Sequence, residues 1–302
     1  MFHMAIARHS RIVVSVGLLL GAGGFVFFLM QQARPDTKDS VLVFAAPVAN
    51  LFAGEERYIT KELVIPENTY ITSIVPSFSG ATNLLHHADL FYTGADNLVC
   101  RGKTLQMYST GSELNTIETF GPDRGIFLKK GERLLLYIHF ANPSDGAKIV
   151  SGSFELALVG KGTMRHEVVP IMISVSDPCE KNVAVSTEYT IPGGVVHNEK
   201  TMERPYQLPR DATLVAWGGH LHEYGTSLSL SVNTTVISTL TPQKNPRPAD
   251  PKSVYLKGQV FQPSVYLHAG DMIDLRAVYE KPQDSFISSA MGIGYLIVQF
   301  SK

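Results

Sequence analysis

Residues 227–232 have the sequence Ser-Leu-Ser-Leu-Ser-Val, in which polar and apolar side chains alternate without exception. This period of two is typical of a β-strand with one face in a core and one face in water. Outward from it, further apolar runs between turn residues predict strands at 62–65, 69–75, 133–140 and 153–159. No amphipathic helix longer than two turns is predicted. Many short strands at this spacing predict an all-β sandwich or jelly roll.

Length and charge limit the organisation and the partners of the chain. The 302 residues are 44% hydrophobic, which is enough for one large β domain or two smaller ones. A Pro-Ser-Asp-Gly turn after Asn142 predicts a boundary, so we expect a linker up to residue 40, a first domain over 41–143 and a second over 144–302. The net charge of −1 gives no excess of basic residues for phosphates, which argues against nucleic acid as a partner.

An uncharged apolar run covers residues 12–30. A signal-peptide core is usually only about 7–15 residues long, whereas a membrane-spanning helix needs about 20. We therefore expect a retained N-terminal transmembrane helix or signal anchor, with a cleaved signal peptide as the alternative. Arg8 and Arg11 precede the run and predict a cytoplasmic N-terminus, which places the rest of the chain in the periplasm or outside the cell.

Cys100 and Cys179 are the two cysteines of the chain. They can pair in an oxidising compartment, but the sequence does not give the distance between their Cα atoms. A disulfide and two buried thiols both remain open at this stage.

Histidines and one methionine form the pattern with the most chemical content. His220 and His222 lie in a strand-like run, where residues two apart point to the same face, so both imidazoles can reach one ion. Met291 lies in another strand-like run and offers a soft thioether, although most methionines fill cores. The remaining candidates, His86, His87 and His139, form a three-nitrogen set that suits copper or zinc. Adjacent histidines point to opposite faces of a regular strand, and a lone His139 is also typical of a core residue.

The order and context of these residues resemble the copper type II, ascorbate-dependent monooxygenases, the family of peptidylglycine α-hydroxylating monooxygenase and dopamine β-monooxygenase. The resemblance covers roughly residues 60 to 302. The segments that carry it are Leu-Leu-His-His-Ala-Asp-Leu-Phe (84–91), Leu-Leu-Tyr-Ile-His-Phe (135–140), Gly-His-Leu-His-Glu-Tyr-Gly (219–225), Leu-His-Ala-Gly-Asp-Met-Ile-Asp-Leu-Arg-Ala-Val-Tyr (267–279) and Ser-Ala-Met-Gly-Ile-Gly-Tyr-Leu-Ile-Val-Gln-Phe (289–300).

The resemblance implies two jelly-roll β-sandwich domains that face each other across a cleft. It implies an electron-transfer copper held by His86, His87 and His139, and an oxygen-activating copper held by His220, His222 and Met291. Dioxygen and a small-molecule or peptide substrate are then the partners, with ascorbate or another external donor as the reductant. The cofactor supplies the oxidation chemistry, and the protein supplies the ligands and the access.

The chain also departs from the family's peptide-hydroxylating branch. An arginine that binds the substrate carboxylate there is Gly218 here, and an asparagine that assists it is Ile293. The family's tyrosine four residues after the methionine is kept as Tyr295, which we include among the candidate catalytic residues. A peptide ending in glycine is therefore not the expected substrate.

Two alternatives to a monooxygenase follow from the same features. Loss of the carboxylate clamp, together with a membrane anchor and a proline-rich loop at 241–251, fits a structural or assembly subunit of a cell-envelope, secretion-type complex. A copper- or zinc-binding module for storage or delivery needs the ligands but no substrate pocket.

Overall fold

The computed structural model describes residues 40–79, 84–111, 120, 123–160, 166–176, 179, 187–244 and 254–301. The predicted membrane span at 12–30 lies outside these residues. In the part of the chain that is described, no helix is long and apolar enough to cross a membrane. The described residues form strands and no α-helix, which confirms the prediction of an all-β fold.

The strands group into four sheets. The strands of the first two sheets are β1 (Ser40–Ala45), β2 (Ala49–Leu51), β3 (Glu56–Val64), β4 (Thr69–Ser79), β5 (Leu85–Asp96), β6 (Thr104–Thr110), β7 (Arg124–Leu128), β8 (Arg133–Ala141), β9 (Lys148–Gly160) and β10 (His166–Glu167). The strands of the other two sheets are β11 (Val169–Ser174), β12 (Glu188–Ile191), β13 (His197–Thr201), β14 (Tyr206–Gln207), β15 (Ala212–Leu221), β16 (Gly225–Val232), β17 (Thr235–Leu240), β18 (Gln259–Leu267), β19 (Met272–Glu280) and β20 (Ile287–Phe300).

Each half of the chain builds one pair of sheets. Sheet I has the order β1-β9-β4-β7-β10 with β2 also on β9, and sheet II has the order β3-β8-β5-β6. Sheet III has the order β11-β20-β15-β18 with β12 also on β20, and sheet IV has the order β13-β19-β16-β17 with β14 also on β19. The candidate ligands lie on sheets II and III.

Two apolar clusters fill the two pairs of sheets. One draws its buried side chains from 44–168 and the other from 171–298, and two residues of sheet III, Val215 and Ile297, pack in the first. Strand β9 follows the boundary predicted between 143 and 144, yet it pairs with β1 and β4 of the first half. Strand pairing therefore changes from the first pair of sheets to the second near Val168. The division into two domains stays a prediction.

The alternating segment 227–232 lies in β16, with Leu228 and Leu230 fully buried in the second cluster, as its pattern predicts. Ser229 departs from the pattern because it is buried as well. Its hydroxyl lies 2.9 Å from the hydroxyl of Thr239 on β17, so the buried oxygen keeps a hydrogen-bond partner.

Sheets III and IV approach each other closely at the strand that carries Met291. A Cβ atom placed on Gly292 would lie 2.6 Å from the Cβ of Ala277 on β19 and 3.0 Å from a methyl of Val175. Only glycine permits this approach without movement of the backbone. The close contact brings the next inward residue of β19, Tyr279, to the backbone of sheet III.

Cys100 and Cys179 form a disulfide, with their Cα atoms 5.1 Å apart. Cys100 lies in the loop between β5 and β6, and Cys179 lies between β11 and β12. The bond therefore links the first pair of sheets to the second, and it answers the question that the sequence left open.

Candidate metal centre

A β-bulge brings His86 and His87 to the same side of sheet II. Leu85 pairs with Phe140 and His87 pairs with His139. His86 is therefore an extra residue in β5, with no residue of β8 paired to it. In a regular strand the two neighbouring side chains would point to opposite faces. A bulge places two residues opposite one and changes the direction of a side chain. The bulge therefore lets two adjacent histidines lie on one side of the sheet.

The three histidines converge. His86, His87 and His139 each offer a ring nitrogen, and these nitrogens all lie within 4.8 Å of one another. The ring centroids are 4.7 Å apart for His86 and His139, 5.3 Å for His87 and His139, and 5.4 Å for His86 and His87. Three imidazoles at this separation form a donor set that copper and zinc both accept. We call these three residues the trio.

Neighbouring side chains orient the rings of the trio. The Nδ1 of His87 lies 2.6 Å from a carboxylate oxygen of Asp89, and the Nε2 of His139 lies 3.3 Å from a carboxylate oxygen of Glu56. Tyr58 stacks on the His139 ring, with centroids 4.1 Å apart. A carboxylate on one imidazole nitrogen fixes the ring and leaves the other nitrogen for a metal.

The electrostatics favour the neutral imidazole at His86 and His139. Burial, followed by the neighbouring rings of His139 and His87, lowers the pKa of His86. Burial, followed by the charge of His87, lowers the pKa of His139. Only a neutral imidazole has a lone pair for a metal, so the lowered pKa values keep these residues in the form that binds. His86 is the most exposed of the three, so the trio is reachable from solvent.

Replacement of Asp89 by asparagine is expected to weaken metal binding by the trio. Asparagine keeps the volume but loses the charge that orients the His87 ring, and such partners contribute about 10–100-fold to affinity. The measurement is a competition titration with a chromophoric chelator. Gln106→Leu is the control, because Gln106 donates to the other Asp89 oxygen and its loss leaves the carboxylate charge in place. An unchanged affinity in Asp89→Asn would show that the carboxylate has no such role.

The second candidate set lies on one face of sheet III. In the pairing of β15 with β20, His220 lies opposite Ile293 and Leu221 lies opposite Gly292. The next pair in this register is His222 with Met291, just beyond the end of β15. Directly opposite residues point to the same face, as do residues two apart. His220, His222 and Met291 therefore share a face, and all three are half-buried. We call these residues the His-Met set.

The rings of the His-Met set are close together and one of them is fixed. The centroids of His220 and His222 are 4.9 Å apart, with the planes nearly perpendicular. The Nδ1 of His222 makes a short hydrogen bond to the backbone carbonyl of Ser289. Since a carbonyl only accepts, Nδ1 carries a proton, and in the neutral ring the lone pair that a metal requires is on Nε2.

Tyr295 and Gly218 form the row next to His220 on the same face, where they lie opposite each other. Gly218 stands where the resemblance calls for an arginine, and a Cβ placed there would meet only Gly258 Cα, at 3.9 Å. The position of Gly218 therefore leaves open space on this face beside His220.

The faces that carry the two candidate sites are turned toward each other. Ile297 lies on the same face of β20 as Met291, and it packs in the apolar cluster of the first half. The charge of His220 also contributes to the lowered pKa of His86. A small cavity between the sheets has both Gln106 of sheet II and Met172 of sheet III in its wall. The trio and the His-Met set therefore lie near each other, across the gap between two sheets.

Sequence reasoning missed several residues that support the two sites. Asp89 lies two residues after His87, on the same face of a strand, so the spacing could have revealed it. Glu56 and Tyr58 come from another strand, and so does Tyr279, whose hydroxyl accepts from the His222 N–H. No local pattern signals these contacts.

Comparisons with known proteins add little to this description. No family model matches the chain, and no curated protein does. Among solved structures, the chain is similar to VP54 of PBCV-1, fitted into a reconstruction of the virophage Sputnik, at 9% identity over 90% of this chain and 97% of that chain, with a TM-score of 0.35. It is also similar to the major capsid protein P2 from bacteriophage PM2, at 11% identity over 88% of this chain and 98% of that chain, with the same TM-score. Scores of this size carry no conclusion about function.

Proposed function

We propose that this chain is a dicopper monooxygenase-like enzyme that hydroxylates a small-molecule or peptide substrate with dioxygen. In this proposal the trio holds one copper ion and the His-Met set holds the other. The two pairs of sheets are two jelly-roll domains that face a cleft. Residues 12–30 anchor the protein to a membrane, with the sheets on the periplasmic or extracellular side.

The observation that carries the proposal is the presence of two different donor sets on sheets that face each other. Three histidine nitrogens within 4.8 Å support a nitrogen-only site. Two histidines and a methionine on one face support a softer site, which suits Cu(I). A buried core histidine needs neither the bulge at His86 nor the two carboxylates that orient the trio.

Bound copper would supply the one-electron chemistry and the activation of dioxygen, which no side chain of the protein provides. The residues of the chain would orient the ligands and leave access for a substrate. Asp89 and Glu56 each bond one ring nitrogen of a trio histidine, and the Ser289 carbonyl bonds Nδ1 of His222, so that these rings are held in orientation. The half-buried position of the His-Met set keeps it within reach of a substrate, and Gly218 leaves space beside it.

The test is dioxygen uptake by the purified full-length chain after copper loading and removal of free copper, with ascorbate as the electron donor. The proposal predicts uptake by the wild type and its loss in His220→Ala and in His139→Ala. His197→Ala is the control, because His197 is exposed and pairs with Glu199 and Glu280, outside both candidate sites.

Three outcomes separate the proposal from its alternatives. Uptake that needs both donor sets supports a monooxygenase. Tight copper binding without uptake supports storage or delivery. A chain that binds no copper, and whose ligand-to-alanine variants keep the function of the host cell, supports a structural subunit.

A further inference from the structure

The buried hydroxyl of Tyr279 lies between the two strands that carry His222 and Met291. Its side chain comes from β19 of sheet IV and is 0% exposed. The backbone N–H groups of His222 and Met291 both donate to this oxygen, each at 3.0 Å. The hydroxyl in turn donates to the backbone carbonyl of Met291. One oxygen therefore makes three hydrogen bonds at the ligand-bearing end of sheet III.

This hydroxyl occupies the place of the next rung in the sheet. The pairing of β15 with β20 ends at Leu221 and Gly292, and His222 with Met291 would follow. In an antiparallel ladder, opposite residues of a hydrogen-bonded pair bond directly to each other. Here the N–H groups of both residues and the carbonyl of Met291 are bonded to the Tyr279 hydroxyl instead, and the carbonyl of His222 accepts from the N–H of Gly225. The phenol oxygen thus accepts from two N–H groups and donates to one carbonyl at the point where the ladder ends.

We propose that Tyr279 is a positioning residue that sets the separation between His222 and Met291, so that an imidazole and a thioether can share one metal ion. This inference rests on the proposed function, because it assigns a role within the His-Met set. Without the Tyr279 hydroxyl between the strands, the His222 N–H could donate directly to the Met291 carbonyl, and the two side chains would come into the direct cross-strand contact of an ordinary sheet.

The surroundings support a role for the hydroxyl itself rather than for the ring. The glycine at 292 lets β19 approach closely enough for a tyrosine oxygen to reach the backbone of β20. Tyr189 packs edge-on against Tyr279, with centroids 6.1 Å apart. Its buried hydroxyl has no hydrogen-bond partner among the described residues. The two tyrosines are therefore a matched pair, in which the Tyr279 hydroxyl is hydrogen-bonded to the backbone of His222 and Met291 and the Tyr189 hydroxyl is not.

The first test needs no metal. Tyr279→Phe keeps the ring and removes the oxygen, and Tyr189→Phe is the control. In protein labelled with ¹³C-methyl methionine, the Met291 resonance is assigned by its loss in Met291→Leu. We expect this resonance to move in metal-free Tyr279→Phe and to stay in place in Tyr189→Phe. An unmoved Met291 resonance in Tyr279→Phe would overturn the proposal.

The second test is the affinity for Cu(I), measured by competition with a chelator. Loss of a residue that orients a ligand costs about 10–100-fold, so we expect Tyr279→Phe to weaken the His-Met set at least about tenfold. The trio serves as the internal control and should be unchanged. A Cu(I) affinity of the His-Met set that is the same in Tyr279→Phe as in the wild type would contradict the proposal.

The role of Tyr279 can be tested separately from copper binding. If the wild type binds no copper, the proposed function fails, and the metal-free methyl spectrum still decides the role of Tyr279. If Tyr279→Phe does not fold, amide hydrogen exchange of the wild type decides instead. The amides of His222 and Met291 should then exchange slowly, although β15 ends before His222, and rapid exchange of both would overturn the proposal.

Discussion

Replacing His139 with alanine is expected to remove one of two bound copper ions and to leave the other in place. His139 is only 6% exposed and supplies one of the three nitrogens of the trio. Two imidazoles remain, one of them exposed, and two nitrogens hold a copper ion less tightly than three converging ones. Because loss of an orienting partner alone costs about 10–100-fold, loss of a ligand should weaken this site by more than about 100-fold.

The measurement is copper content per chain after dialysis, by atomic emission, with His197→Ala as the control. We expect one copper in His139→Ala, one in His220→Ala and none in the double variant. Full copper content in His139→Ala would show that His139 is a structural histidine and not a copper ligand. Loss of both ions in the single variant would show that the two sites are not independent.

Removal of the disulfide is expected to have the largest effect on stability. The bond closes a loop whose ends are 79 residues apart in sequence, and a loop of this length contributes about 4.5 kcal/mol in the chain-entropy model, an upper value for what is usually measured. The double variant Cys100→Ser/Cys179→Ser should therefore lose about 2–4 kcal/mol of unfolding free energy. The double change avoids an unpaired thiol at Cys100, which is buried.

Urea denaturation followed by tryptophan fluorescence gives the measurement, since Trp217 is buried in the second cluster. The control is the wild type with and without a reducing agent. Reductant should lower the stability of the wild type to that of the double variant and leave the double variant unchanged. A difference within about 0.5 kcal/mol between oxidised wild type and double variant would contradict this expectation.

The all-β fold was predictable because its signal is local. Alternation in a segment such as 227–232 records which side chains face a core, and that information lies within a few residues. Ser229 shows the limit of such patterns, because its burial depends on a hydroxyl across the sheet, at Thr239. The pairing of β9 with β1 and β4 was not predictable for a similar reason, since the position of a strand in a sheet follows from its partners.

The candidate ligands were predictable as residues, but not as an arrangement. Spacing of two places His220 and His222 on one face in any strand. The bulge at His86 depends on how β5 pairs with β8, and the sequence does not state that register. Tyr279 lies far along the chain from His222, and its contact depends on the close approach permitted at Gly292. Pairing between strands, rather than the pattern within one strand, completes both sets.

The most direct test of the account is X-ray absorption at the copper edge of the reduced, copper-loaded full-length chain, with Met291→Leu beside it. Two different sites require two copper ions per chain and a copper–sulfur scattering component from one of them. We predict that this component is present in the wild type and absent in Met291→Leu, while scattering from imidazole persists in both. A wild type with no bound copper, or a copper spectrum without sulfur, would contradict the central claim.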